Sequence, residues 1–395
     1  MRKYFYTRRD FLTLTGIGVL GIFVSLRGQN IIKKDAKELL VYVGTYTTAG
    51  SEGIYIYRMD LSSGKLNLVK TVKEIVNPSF LAIDAMEHYL YTVNEVQEFV
   101  GKPGGAISAY SINLKTGDLS FLNQQPTQGG DPCHIIVDKT GKFVLTANYS
   151  GGSVSVFPVL TNGSLGTMTD IVQHYGSGPN IKRQETPHAH SVNLDFANRY
   201  AFVADLGLDK IMIYKFDSNK GKLNPNDVPW ASVKAGAGPR HFTFHPDGKF
   251  AYVINELNST LTAFSYDETK GTLKELQAVS TIPEDFTGTN WCADVHVSPS
   301  GKFVYGSNRG HNSIVIFAID EGTGKLIYVG HEPTQGNYPR NFAIDPTGSF
   351  LLAANQRTNN IVIFRIDKQN GRLISTGQTA ELPSPVCIKM IPFYF

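Results

Sequence analysis

Short apolar runs of five to seven residues recur along the chain and are broken at regular distances by glycine, proline, asparagine and aspartate. FAYVI (250–254), FVYGS (303–307) and FLLAA (350–354) are rich in aromatic and β-branched side chains, and SIVIFAI (313–319) and NIVIFRI (360–366) follow the last two. The turns PDGK, PSGK and PTGS stand before such runs. Length and composition of this kind predict strands, and no stretch of the body repeats with the 3.6-residue period of a helix.

The strands fall into units. Gly-x-Leu occurs with glycine at positions 64, 117, 163, 221, 271, 324 and 371, giving seven copies 46 to 58 residues apart. The glycine suits a turn with positive φ, and the leucine opens the next strand. A polar dipeptide at a strand end keeps step with it: Asn94-Glu95, Asn148-Tyr149, Asp205-Leu206, Asn255-Glu256, Asn308-Arg309 and Asn355-Gln356. Unit five reads as strands A (HFTFHP), B (KFAYVINE), C (LTAFSYDE) and D (TLKELQAV). Four antiparallel strands per unit of about fifty residues, seven times over, predict an all-β fold, a seven-bladed β-propeller. The first unit starts at strand B (LLVYVGTY, 39–46) and lacks a strand A. PVCIKMIPF (385–393) supplies it, with Pro385 and Pro392 on the positions of Pro239 and Pro246, so the C-terminus is expected to close the ring.

With the register fixed, chemistry is read by column. The start of strand A runs Ser79, Cys133, His190, Arg240, Ala293, Arg340, and the next position runs Phe80, His134, Ser191, His241, Asp294, Asn341. The residue after the strand B Asn or Asp runs Glu95, Tyr149, Leu206, Glu256, Arg309, Gln356. Strand A is the innermost of a blade, and A and B are antiparallel neighbours. All three columns are therefore expected at one mouth of the central channel. That mouth would gather Arg240, Arg309, Arg340, His134, His188, His190, His241, Glu95, Glu256 and Asp294, an ionisable cluster in a semi-enclosed funnel. Arg–Glu pairs that merely fasten neighbouring blades would look alike one at a time, but fastening does not need several imidazoles. His245 and His296, inside strands A, read as packed or channel-lining, and His88, His174, His311 and His331, in loops or turns, as facing solvent. Cys133 is a candidate nucleophile that no surrounding motif supports.

Charge and cysteines narrow the classes. The 395 residues carry a net charge of +3, and residues 1–38 alone hold eight Lys or Arg against three acids, which leaves a nearly neutral body and no electrostatic reason to expect nucleic acid. TRRDFLTLTG (7–16) resembles the twin-arginine export signal. The uncharged stretch 11–26 suits a signal core and is short for a membrane span. Residues 1–38 are therefore set apart as a signal segment that exports or tethers the chain, and 39–395 form the propeller. GIGVLG (16–21) matches a dinucleotide-binding pattern by letters only, having no strand before it. Cys133, Cys292 and Cys387 form no C-x-x-C pair, so neither a disulfide framework nor a zinc site is indicated. The two histidines of PHAH (187–190) lack a third ligand, and no metal or other cofactor is expected.

GPRHFTFHPDGKFAYVINE (238–256), TPHAHSVNLD (186–195), WCADVHVSPSGKFVYGSNRG (291–310) and YPRNFAIDPTGSFLLAANQ (338–356) resemble the seven-bladed propeller lactonases, a family that includes bacterial 6-phosphogluconolactonases and the fungal carboxymuconate cyclase. The likeness extends over essentially all of residues 39–395. It implies a metal-independent enzyme that opens or forms a lactone with a His, two Arg and a Glu. By motif these are His190 (His188 remaining open), Arg240, Arg309 and Glu256. Lactone hydrolysis needs a base for water, donors for the oxyanion and a handle for an anionic group, and the expected holders are His190 or Glu256 as base, Arg240 at the oxyanion or carboxylate, and Arg309 with Arg340 at a phosphate. His188, His241, Glu95, His134 and Asp294 complete the expected binding wall. The expected partner is a small-molecule lactone bound by a monomer. A lactonising isomerase of the carboxymuconate type and a non-catalytic binding propeller are the alternatives. An exported member is also compatible with an unphosphorylated lactone.

Overall fold

The computed structural model describes residues 36–394; the twin-arginine motif and the apolar stretch after it lie outside them. Seven four-stranded antiparallel sheets radiate around a central channel. In blade 5 strands A to D are Pro239–Phe244, Phe250–Asn255, Thr260–Asp267 and Thr272–Ser280. Blade 1 joins the two ends of the described chain. Its strands B, C and D are Glu38–Thr45, Gly53–Asp60 and Leu66–Lys73, and its strand A is Pro385–Phe393. The closing register runs from Glu38 opposite Phe393 to Thr45 opposite Pro385. Both prolines fit, because strand A is an edge strand that owes no hydrogen bond on its channel side.

The Gly-x-Leu repeat has a packing cause. Gly271 adopts φ 65°, and a Cβ there would lie 2.3 Å from the ring of Tyr200 in the preceding blade; Gly324, at φ 71°, meets Phe250 in the same way. The other five repeat glycines are likewise covered by the first or an early residue of strand B in the blade before. Several of these latches are doubled by a buried tyrosine, as when Tyr252 donates to the Gly324 carbonyl at 3.0 Å and Tyr305 to that of Gly371 at 2.9 Å. Between blades 5 and 6, Phe250, Tyr252 and Ile254 pack on Val304, Val315 and Phe317. Fully buried side chains of this size stabilise the fold by about 1.5–3 kcal/mol each, so the blades are held mainly through their faces.

One irregularity positions the chemistry. Strand A of blades 3, 4, 5 and 7 (Pro132–Val137, Ala189–Leu194, Pro239–Phe244, Pro339–Ile344) slips register at its second residue. The residue that loses its cross-strand partner is Cys133, His190, Arg240 and Arg340 in turn. A bulge bends the strand and re-aims the freed side chain. His174, expected to face solvent, is instead buried: it directly follows the last strand of blade 3 (Asp170–Gln173), and its Nδ1 lies 2.6 Å from Oδ2 of Asp205, the last residue of strand B in blade 4.

Candidate active site

The bulges sort the three columns into two layers, which corrects the expectation of a single mouth. Three of the four bulged residues and most of the third column surround an outer cavity of about 230 Å³. Glu95, Cys133, His190, Glu256, Arg309 and Arg340 line it, together with Tyr149, Arg183, Trp291 and Tyr338. The residue after each bulge belongs to a second cavity of about 200 Å³, one step further along strand A, with His134, His241, Asp294, His296 and Lys389 on its walls. His134, His241 and Asp294 therefore do not join the mouth. Arg240, buried to 2% exposure, is the partition: its guanidinium reaches Glu256 above and His241 below.

Glu256 is the hub of the outer layer. Its Oε2 accepts from Arg309 Nη2 at 2.5 Å and pairs with Arg240 Nε at 3.0 Å, while Oε1 accepts from Arg183 Nη2 at 2.6 Å. Burial alone would raise its pKa, yet Arg309, Arg240 and Arg183 together hold the carboxyl well below the usual range. A carboxylate so saturated is a poor proton acceptor, which removes it as the base. Arg240 itself is lowered to about 10 by burial and by Arg309 and Arg340.

Across the cavity a second carboxylate has a different setting. Tyr46 donates to Glu95 at 2.8 Å (Oε1) and 2.9 Å (Oε2), Ser79 Oγ also bonds it, and Arg340 Nη2 donates to the Tyr46 oxygen at 2.9 Å. Burial raises the Glu95 pKa, and Arg340, Ser79 and Tyr46 only partly offset it.

His190 stands between these poles. It is 4% exposed, its Nδ1 lies 3.7 Å from Cys133 Sγ, and Nε2 has no partner among the described residues. Burial, then Arg240, His241 and Arg340, hold it well below 6.5, so the ring is neutral. The thiol points its hydrogen at the carbonyls of Ala189 and His190. The sulfur is then left to accept from Nδ1–H, and the Nε2 lone pair is free. Burial pushes the Cys133 thiol well above its ordinary value, which argues against a nucleophilic thiolate. His188 is turned aside: it stacks on Tyr149 at 4.4 Å, and its Nδ1 is 3.1 Å from the Tyr149 carbonyl oxygen.

The inner layer is a fastening network. Arg240 only donates, so His241 Nε2 accepts from it at 3.3 Å and Nδ1–H donates to Asp294 Oδ1 at 2.7 Å. Burial and Arg240 lower His241 to about 4. Asp294 Oδ2 also receives His296 Nε2 at 3.0 Å and Asn341 Nδ2 at 2.5 Å, which ties blades 5, 6 and 7 together. Among the described residues no group of three or more His, Cys, Asp or Glu is arranged to hold a metal ion.

Column reading missed Arg183, Tyr46, Trp291 and Tyr338. Arg183 lies in the loop between the last strand of blade 3 (Asp170–Gln173) and strand A of blade 4, outside the repeat. Tyr46 directly follows strand B of blade 1, whose last residue, Thr45, replaces the usual Asn; extending the third column to the first unit would have found it.

Residues 40–390 match the family model described as lactonase, seven-bladed β-propeller. The 6-phosphogluconolactonase of Bacillus subtilis (strain 168) is 42% identical over 350 residues, covering 89% of this chain and 97% of that protein. One of the same name from Formosa agariphila is 42% identical over 311 residues, 77% of this chain and 85% of its own length. The structure of a periplasmic gluconolactonase from Pseudomonas aeruginosa superimposes with a TM-score of 0.85 at 32% identity, covering 90% of this chain and all (100%) of that one.

Proposed function

This chain belongs to the seven-bladed β-propeller lactonase family and is a lactone hydrolase, and we propose that it opens the phosphorylated sugar lactone 6-phosphogluconolactone in the outer cavity. The observation that carries the substrate is a charge imbalance. Three guanidiniums line the cavity (Arg183, Arg309, Arg340) and that of Arg240 lies beneath it, paired with Glu256; against these four stand two carboxylates (Glu95, Glu256), and His190 is neutral. A semi-enclosed site with a surplus of two positive charges suits a phosphate monoester dianion.

His190 is the base. Its Nε2 takes a proton from water as the water oxygen bonds to the lactone carbonyl carbon, and the carbonyl electrons move onto oxygen. Arg340, which donates from Nη2 to Tyr46 and lines the cavity, stabilises that oxyanion. The acyl bond to the ring oxygen then breaks, and the imidazolium returns its proton to the departing alkoxide. Glu256 serves as the anion that keeps three arginines in place. This differs from the expected roles of Arg240 and Arg340, because Arg240 lies beneath the cavity.

Purified protein lacking residues 1–38 should accelerate ring opening of 6-phosphogluconolactone above the spontaneous rate, and of gluconolactone less well. Equal rates on the two would remove the phosphate from the reading, and acceleration of neither would leave a binding propeller. Export by the twin-arginine route is supported by TRRDFLTLTG and by the periplasmic location named for the Pseudomonas relative. A monomer is favoured because the ring is closed by the chain's own C-terminal strand.

A further inference from the structure

The surplus charge is not spread evenly. Arg183, Arg240 and Arg309, from the half of the mouth built by blades 4 to 6, share the single carboxylate of Glu256. On the opposite half Arg340 is matched by Glu95 through Tyr46. Both excess charges therefore sit on one side, and a dianionic phosphate is drawn there while the carbonyl turns toward His190 and Arg340.

The three arginines of that side are not equally free. Arg240 is buried and turned toward His241 and the Ala293 carbonyl. Arg309 donates to the backbone carbonyls of Trp291 and Cys292 besides Glu256. Arg183 lies at the rim with 27% of its side chain exposed. Its guanidinium stands 4.9 Å over the Trp291 ring, Nη2 also reaches Tyr149 Oη at 3.3 Å, and Nη1, itself buried, has no hydrogen-bond partner among the described residues.

Its loop holds it firmly. The neighbouring Gln184 is wholly buried, and its amide donates to Leu206 O at 2.8 Å and to Asp209 Oδ1 at 2.7 Å. Gly178 N–H and the Gln184 carbonyl close the loop at 2.9 Å. The next residue, Glu185, is exposed and turned toward His188, 3.7 Å from its Nε2, so it does not neutralise Arg183. A preformed planar donor at the rim is the geometry that recognises phosphate oxygens.

We propose that Arg183 is the residue that makes this site select a lactone bearing phosphate over the same lactone without it. The inference rests on the lactonase reading above and assigns Arg183 to binding. The test measures kcat/KM for 6-phosphogluconolactone and for gluconolactone in the wild type, Arg183→Met and Arg183→Lys, with inorganic phosphate as a competitive inhibitor. Arg183→Met should lower the phosphorylated-to-unphosphorylated ratio by about ten- to a hundredfold, as for loss of a charge-assisted hydrogen bond, and should weaken phosphate inhibition. Arg183→Lys, which keeps the charge and loses the fork, should fall between. A purely structural role would lower both activities alike and leave the ratio in place. An unchanged ratio in Arg183→Met, in a wild type that does prefer the phosphorylated lactone, overturns the inference and leaves the lactonase reading standing. A wild type that accelerates neither lactone overturns both.

Discussion

Replacing Glu256 by glutamine tests whether this carboxylate is the counter-ion on which the arginine array depends. Glutamine keeps the shape and one acceptor oxygen but turns an amide N–H₂ toward guanidiniums that only donate. It also leaves the fully buried Arg240 facing Arg309 and Arg183 with no anion among them. Breaking a buried ion pair by removing one partner destabilises by about 3–5 kcal/mol. Unfolding entropy of about 2.1 cal/mol/K per residue, over the roughly 360 residues of the propeller, makes each kcal/mol worth about 1.3 °C. The Tm should therefore fall by about 4–7 °C at pH 7 in phosphate-free, low-salt buffer, read by scanning calorimetry. Added phosphate should raise the Tm of Glu256→Gln more than that of the wild type, because the variant carries one more uncompensated positive charge. The pH dependence has a definite sign. The folded carboxyl titrates below its unfolded value, so its contribution is whole above about pH 4.3 and decays as pH falls toward the folded pKa. The gap between wild type and variant should then narrow below about pH 4. A variant Tm within about 1 °C of wild type at pH 7 would refute the counter-ion role.

Four further outcomes can be checked. His190→Gln should lower kcat for the lactone by about 10²–10⁴ with little change in KM. Neutral His190 is the active form and exists above its own lowered pKa, so wild-type kcat/KM for gluconolactone, which has no phosphate to titrate, should stay level from about pH 8 to below about 6.5; an acid limb centred at about 6.5 or higher would count against it. Deleting residues 385–395 removes strand A of blade 1 with buried Val386, Cys387, Ile388, Ile391 and Phe393, and should abolish soluble, cooperatively melting protein; a truncated chain with a normal Tm would show that the ring closes otherwise. Arg8→Lys with Arg9→Lys should retain the protein in the cytoplasm in a fractionation assay, and unchanged distribution would remove the export reading.

How far the sequence carried depends on which residues obey the repeat. The seven blades were legible because the Gly-x-Leu glycines must lie under an aromatic or leucine side chain of the preceding blade, so packing writes the same letters once per blade. The ring closure was legible for a related reason: Pro385 and Pro392 stand where only an edge strand tolerates them. Arg183 was invisible because a loop residue outside the four strands has no sister positions to be compared with. Tyr46 was hidden by one substitution: Thr45 stands where the other units carry Asn or Asp, and its hydroxyl bonds Gly53 O at 2.6 Å in its own blade, whereas the Asn94 and Asn355 amides bond Val76 O and Thr334 O in the segments leading into theirs.

The division of the columns into two layers has a deeper cause. Strand reading rests on strict alternation, in which neighbours such as Arg240 and His241 point to opposite faces. A bulge suspends that rule for one residue, and a single sequence does not mark where it occurs. Here it occurs at Cys133, His190, Arg240 and Arg340, each at the channel end of strand A. A side chain released from the ladder is free to turn along the channel axis toward the mouth, while the residue after it resumes the ladder and faces its counterparts across the channel. Chemistry and fastening are thereby separated by one position. His190 and Arg340, to which the proposed reaction is assigned, belong to the first, His241 and Asp294 to the second, and Arg240 couples them because its guanidinium reaches both Glu256 and His241. The bulged residues Cys133, His190 and Arg340 are thus the positions at which a change of substrate leaves the network that joins blades 5 to 7 in place, whereas Arg240 is tied into it through His241.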